Sequence, residues 1–462
     1  MTVLWTSAEI AEATGGTVHG DFEVIGVTFD SREVRSGDLF VAMPGTVHDG
    51  HQFVERAIAA GAAGALVSQP IDAPHVLVAD TARALEDLGR ASRARSHAKI
   101  IAITGSVGKT STKEAIYAAL ERWRPGRVHR SVKSYNNHTG VPLSLARMPC
   151  DAEYAVLELG MNNAGEIAAL TRMVRPHVAL ITTIAPAHIE NLGSEEAIAD
   201  AKAEIFQGFE PDGVAIVPND SPHRDRLVKA ARRHADRIVT FGGGDADIHA
   251  VHAVSASGGG SLITASLLDC ELTFTIAQRG DHWVTNALAA LAAVEAVGGD
   301  VAAAGLALGD MGALKGRGER HTIAIEGGDF LLIDESYNAN PASMAATLQS
   351  LGSESNIERR IAVLGPMREL GSHSDRLHEG LAPAVIEARV DRLILIGDEF
   401  ERLAAALGDR VEVDRAASVD QATELLLALV RPGDAVLVKG SNSVGLARLV
   451  EQVAGEFQPC ST

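Results

Sequence analysis

The sequence predicts an α/β protein of three domains, and three observations carry that reading. The chain has 462 residues, about three times the ~150 of a typical domain. Two separate series of short apolar, β-rich runs alternate with helix-compatible stretches. The residues ahead of Lys99 follow neither series.

That leading segment leans to β over 24–29, offers a helix over 52–60, and returns to β over 65–68 and 76–78, which predicts a small mixed α/β domain over residues 1–82. A helix over Thr81–Arg95 joins it to the first series, with strands at Lys99–Thr104, 154–159, 177–184 and 214–217, as expected of a buried parallel sheet. The second series has strands at 330–334, 360–364, Arg392–Ile396 and 435–439. Between the two, the Gly-rich, basic segment 314–320 (LKGRGER) reads as a hinge, which sets the other domains at 83–314 and 315–462. The Ser-Gly run 255–261 reads as a hairpin turn, and no repeat of 20 to 50 residues is found.

Composition narrows the function. Hydrophobic residues at 46% against 22% charged exclude wholesale disorder. A formal charge of -19 leaves no excess cation to neutralise nucleic-acid phosphates, and 4% aromatics is too few for stacking platforms. Cys150, Cys270 and Cys460 lie far apart without a C-x-x-C pair, which fits a reducing compartment rather than a disulfide framework or thiolate zinc site. With no basic leader and no long apolar run, a cytoplasmic protein without membrane insertion is expected.

The sharpest local signal is ITGSVGKTS, residues 103–111, set between an apolar strand and a helical stretch. Backbone N–H groups across Gly105, Ser106, Val107 and Gly108 can converge on phosphate oxygens. Lys109 can reach the β- and γ-phosphates, and Thr110, followed by Ser111, can ligate magnesium. The loop departs from the usual G-x-x-x-x-G-K-[ST] because Ile103 stands at the first glycine position and Gly105 comes two residues later. Glu158 ends the strand over 154–157, at the carboxyl edge where ligands of open sheets gather, and is the carboxylate assigned to magnesium; its plainer alternative is a strand-end salt bridge.

The shifted loop T-G-S-x-G-K-T resembles that of the Mur ligases, which build the peptide of bacterial peptidoglycan, and of the related folylpolyglutamate synthases. The likeness continues through Asp30-Ser31-Arg32, Asp49-Gly50-His51 with Phe53, Tyr135-Asn136-Asn137 and Gly140-Val141-Pro142. It runs on through Glu158 to Asn162, Gly165-Glu166-Ile167, Ala187-His188-Ile189-Glu190, Ala201-Lys202, His282 with Asn286, residues 364–371 and 438–441. The segment 336–341 (SYNANP) discriminates further, resembling the branch that adds D-alanyl-D-alanine to UDP-N-acetylmuramoyl-tripeptide. Two departures are Glu335, where the family often has a second aspartate, and Trp283, where an asparagine commonly follows the histidine.

The resemblance implies a central P-loop-type ATPase domain, a C-terminal Rossmann-like domain, and an ADP-forming amide ligase that works through an acyl phosphate and completes the UDP-muramoyl pentapeptide. It implies ATP and two magnesium ions, with Thr110, Glu158, His188 and Lys202 as metal-holding residues and a carbamate on Lys202. Without it, His188 reads as an ordinary loop histidine and Lys202 as a surface lysine of the helical run 195–206. His282 and Asn286 are expected near the adenine and Asp334 at the ribose; Arg317 is expected at the γ-phosphate, with Lys315 and Arg320 competing for that role. Ser31, Arg32, Asp49 and His51 are expected at the uridine-diphosphate end. Asn136, Asn137, Asn162, Tyr337 and Asn338 are expected along the peptide, and Lys439 and Ser441 at the dipeptide carboxylate. A monomer is expected. Another Mur-type or folylpolyglutamate-type ligase and a P-loop NTPase switch remain alternatives, and the tripeptide's third residue, diaminopimelate or lysine, stays open.

Overall fold

The computed structural model describes residues 3–45, 48–187, 189–256 and 260–457. Its α/β architecture is built on three principal sheets in three successive parts of the chain. The first has five strands in the order Thr17–His19, His75–Leu77, Gly64–Val67, Asp38–Val41 and Gly26–Thr28, parallel except for the first pair. The expected single run over 24–29 divides into Glu23–Val24, paired with Trp5–Thr6, and Gly26–Thr28 in the larger sheet. The expected helix over 52–60 is a 3-10 turn, Gly50–Phe53, followed by the short α-helix Val54–Ala59.

Helix Thr81–Arg95 begins where the Asp80 carboxylate accepts hydrogen bonds from Ala82 N and Arg83 N, satisfying donors that the first turn leaves free. Leu85 and Leu88 pack into the first core together with Leu143 and Ala146 of the central part. Each fully buried leucine contributes about 2 kcal/mol, so this connector is bonded to both neighbours. Its last turn is held by Arg93, which donates to the carbonyls of Val174 and Arg175 and pairs with Glu210 at 3.0 Å.

The central sheet has nine strands. From Val128–Arg130 the order runs Tyr154–Glu158, Lys99–Thr104, Val178–Ile181, Val214–Pro218, Arg237–Gly242 and Ile248–Ser255, all parallel. It closes with the antiparallel strands Ser261–Ser266 and Glu271–Ile276. Ser255 lies opposite Ser261, as the hairpin expectation requires, although residues 257–259 fall outside the described set. Lys99–Thr104 has later strands on both sides, so the chain leaves it at a switch point and the phosphate loop opens at its carboxyl end.

The last sheet runs Glu319–Ile325, Gly328–Glu335, Asp434–Lys439, Arg359–Leu364, Arg392–Ile396 and Glu412–Ala416, parallel apart from its first hairpin. The expected hinge therefore ends within a strand: Glu319 and Arg320 already pair with Asp334 and Ile333. One apolar cluster passes from Ile198 and Phe206 of the central part to Met344 and Leu437 of the last, so these two parts share a core. Among the described residues no helix is long and apolar enough to cross a membrane.

His129, on the edge strand Val128–Arg130, donates from Nε2 to the Ser144 carbonyl at 2.7 Å. Burial, against that hydrogen bond, lowers its pKa to about 4. The unfolded chain therefore binds this proton first as the pH falls, so the stability that the neutral ring carries is present above pH 6.5 and is lost on the way to 4. The wild type is expected to lose on the order of 1–2 kcal/mol more than His129→Gln between neutral pH and about pH 4.5, with allowance for the half-buried ring. Urea unfolding of both proteins at the two pH values checks it, and parallel losses would refute it.

Candidate active site

The phosphate loop needs glycine at both ends. Gly105 has φ 151 and a Cβ there would lie 1.9 Å from Thr182 Oγ1; Gly108 has φ 85 and a Cβ would lie 2.7 Å from Asn286 Oδ1. Between them the Ser106 hydroxyl donates to the Ala185 carbonyl at 2.8 Å, and the Thr182 hydroxyl donates to that of Val107. Helix Lys109–Trp123 follows directly, so its N-terminal dipole points into the loop. Lys109 folds back to donate to the Gly105 carbonyl at 2.7 Å, and its burial lowers its pKa against the pull of Glu158.

Side chains from the central and last parts of the chain meet at Thr110 and Glu158. The Thr110 hydroxyl donates to Glu158 Oε2 at 2.9 Å, and Asn136 Nδ2 donates to Oε1 at 2.8 Å. Arg317, from the hinge, donates to Thr110 Oγ1 at 3.1 Å and stacks on Tyr337 with its guanidinium carbon 4.1 Å from the ring centre. Of the three hinge cations Arg317 alone makes this contact among the described residues: Lys315 pairs with Glu451 and Arg320 with Glu354. Glu158 is 1% exposed, and its hydrogen-bond donors here are neutral side chains. A buried carboxylate beside a hydroxyl is an oxygen donor set that suits magnesium.

Lys202 lies in helix Glu195–Ala203, which Ser194 caps, and is 2% exposed. Burial, reinforced by the charge of Lys109, pushes its pKa well below the usual lysine range. Among the described residues its ammonium makes no hydrogen bond or ion pair, so the plainer alternative of a surface lysine gives way to a buried, easily neutralised amine. His188 falls outside the described residues.

A cavity of about 340 Å³ opens between the central part and the last, lined by His282, Trp283, Arg279, Gly318 and Glu335. Burial and the charge of Lys439 lower the His282 pKa to about 4, which keeps the ring neutral near pH 7. Asn286 lies against Gly108 rather than on this cavity's lining. Strand alternation turns Asp334 to the opposite face, beside Glu319 and His321, where its Oδ1 accepts from Ser336 N at 2.9 Å. The acidic residues lining the cavity are Glu319 and Glu335, and the expected Asp334 is not among its lining. The Glu335 carboxyl is raised by burial, opposed by Lys439, whose Nζ lies 3.4 Å away.

A second cavity, about 690 Å³, opens where all three parts meet and is lined by Arg32, Lys133, Tyr135, Thr110, Arg317 and Tyr337. Arg32 is held on Asp30 through its Nε and Nη2 atoms at 2.9 and 2.7 Å, which lowers the Asp30 carboxyl to about 2. Ser31 is half-buried between those two residues. The other expected uridine-end residues serve their own turn: Asp49 Oδ1 accepts from His51 N, and His51 Nε2 accepts from Ser68 N.

Asn137 likewise closes the turn that leads into helix Gly140–Ala146, accepting from Thr139 N and Gly140 N. Asn162 is exposed and its backbone N–H donates to Glu166. Lys439 also donates to the Asn338 carbonyl at 3.0 Å, while the Ser441 hydroxyl accepts from Arg368 N at 2.9 Å. Lys439, so engaged with the SYNANP loop, is 2% exposed. Sequence reasoning did not select Glu335, Lys133 or Tyr135; strand parity across 330–335 was the signal available for Glu335.

Three family profiles cover this arrangement: the Mur ligase family catalytic domain over 23–121, the Mur ligase middle domain over 103–294 and the Mur ligase glutamate ligase domain over 316–442. The UDP-N-acetylmuramoyl-tripeptide--D-alanyl-D-alanine ligase of Bacillus subtilis (strain 168) is 35% identical, covering 97% of this chain and 98% of its own. The chain belongs to the Mur ligase family. The same-named enzyme of Escherichia coli (strain K12) is 33% identical over 96% of this Mur ligase and 97% of its own length. Among solved structures, MurF from Acinetobacter baumannii aligns with TM-score 0.84 at 32% identity, covering 98% and 99% of the two chains. MurF ligase from Thermotoga maritima, solved in complex with ADP, aligns at 0.77 and 26% identity over 94% and 97%. These full-length matches bear out the expected family, its three-part α/β fold and an ATP-dependent ligase, and they set aside the NTPase-switch alternative.

Proposed function

We propose that this Mur ligase joins D-alanyl-D-alanine to UDP-N-acetylmuramoyl-tripeptide, converting ATP to ADP and phosphate and releasing the UDP-muramoyl pentapeptide. The observation that carries the reading is the contact of hinge Arg317 with Thr110 and of Thr110 with Glu158, which joins the last part of the chain to the phosphate loop at one carboxylate. An oxygen of the tripeptide carboxylate attacks the γ-phosphorus, the bond from that phosphorus to the β–γ bridging oxygen breaks, and ADP leaves. The dipeptide amine then attacks the acyl carbon and loses a proton, and the bond from that carbon to the phosphate oxygen breaks to release phosphate.

Within this chemistry the loop amides and Lys109 hold the β- and γ-phosphates, and Arg317 faces the charge that builds at the transferred group. Thr110, Glu158, His188 and a carbamate formed from carbon dioxide and the neutral Lys202 amine would hold magnesium. Bound there, magnesium neutralises the phosphate and carboxylate oxygens that otherwise repel each other. The adenine base is assigned to the cavity of His282 and Trp283, with Glu335 in place of Asp334 toward the ribose, and the sugar peptide to the larger cavity. Domains over 1–82, 83–314 and 315–462 then bring one ligand each, in a monomer acting in the cytoplasm. Mass spectrometry of the sugar peptide with MgATP tests this: a gain of one dipeptide per phosphate released is expected, and acceptor-independent phosphate release without that product would refute it.

A further inference from the structure

Lys113 lies one turn beyond Lys109 on the phosphate-loop helix, its side chain is 0% exposed, and the chemistry above does not use it. Its ammonium is held on three sides: Nζ donates to the carbonyls of Ser131 at 2.9 Å and Lys133 at 2.6 Å, and forms an ion pair with Glu114 Oε1 at 3.0 Å. The Lys133 carbonyl is presented by a strained backbone, since Lys133 has φ 53, a left-handed conformation that a non-glycine residue rarely adopts. Such a conformation persists only where its surroundings enforce it.

The loop so held touches every part of the candidate site. The Ser131 hydroxyl accepts from Glu158 N at 3.1 Å, and Asn136 donates to Glu158 Oε1. Ser134 hydrogen-bonds the Tyr337 hydroxyl, Lys133 pairs with Glu33, and Tyr135 packs against Phe29 with ring centres 5.5 Å apart. We infer that Lys113 is a positioning residue: its buried ammonium clamps loop 131–136 to the phosphate-loop helix and so sets both the Glu158 carboxylate and the wall of the sugar-peptide cavity. This rests on the function proposed above for its kinetic consequence, but not for its structural one.

The test uses the full-length protein with Lys113→Met and, in case that variant does not fold, Lys113→Gln, which retains two donors on a shorter arm. Hydrogen–deuterium exchange of the ligand-free protein is expected to show amides of 131–137 exchanging at least about tenfold faster, with the C-terminal sheet unchanged. In turnover, the KM for UDP-muramoyl-tripeptide is expected to rise about tenfold while that for ATP moves less than about threefold. Unaltered exchange in the Lys113 variants, or equal changes in both KM values, would overturn the inference. A wild type that makes no pentapeptide would instead defeat the functional reading and leave the exchange result standing.

Discussion

Glu158→Gln is expected to lower kcat for pentapeptide formation about 10³-fold, which corresponds to about 4 kcal/mol of transition-state stabilisation. The substitution keeps the shape of the side chain and one acceptor oxygen for Asn136, while the Thr110 hydroxyl can accept from the new amide group, so the fold should survive with a Tm near that of the wild type. What it removes is the buried negative charge that would hold magnesium against two anionic reactants. The KM for the dipeptide should move little, because the loss falls on phosphoryl transfer rather than on acceptor binding. Steady-state kinetics with both substrates varied checks this, and a kcat within about threefold of the wild type would exclude Glu158 from the metal site.

Lys202→Ala is expected to cost at least about 10³-fold in kcat, with partial recovery when a short carboxylate such as acetate or propionate is supplied at tens of millimolar. The physical ground is the environment of the amine. Burial and the neighbouring charge of Lys109 favour its neutral form, and only a neutral amine adds carbon dioxide. For the same reason wild-type activity measured after removal of carbon dioxide should rise on adding bicarbonate, and more at higher pH, where the amine is less protonated. An Ala variant that is fully active without additives, or one that no carboxylate revives, would refute the carbamate.

The parts of this molecule legible in the sequence are those where a local pattern and its surroundings agree. The fully buried strand Lys99–Thr104, the phosphate loop and the helix after it could be read directly, because parallel strands buried on both faces are continuous apolar runs and the loop chemistry is local. The strands Ile248–Ser255 and Glu271–Ile276 were less visible, since the last five residues of the first are exposed on both faces and the second alternates buried with exposed positions. Glu319–Ile325 was concealed by the glycines and charges of the hinge that runs into it.

Site residues divide in the same way. Thr110, Glu158 and Arg317 converge as expected from motif and family likeness. The choice between Asp334 and Glu335 depends on which face of the sheet each occupies, and adjacent residues on a strand always face opposite ways. The capping role of Asp49, the turn closed by Asn137 and the clamp formed by Lys113 arise from contacts with backbone groups that no side-chain motif announces.

The proposed use of ATP is activation of the sugar-peptide carboxylate, not simple hydrolysis. It can be tested by supplying UDP-muramoyl-tripeptide labelled with ¹⁸O in its terminal carboxylate, together with MgATP and D-alanyl-D-alanine, and weighing the released phosphate. Attack of the carboxylate on the γ-phosphorus followed by departure of phosphate predicts one carboxylate oxygen in every phosphate formed. Phosphate carrying no label, with its new oxygen drawn from water, would contradict the ligase chemistry assigned to Thr110, Glu158, Lys202 and Arg317.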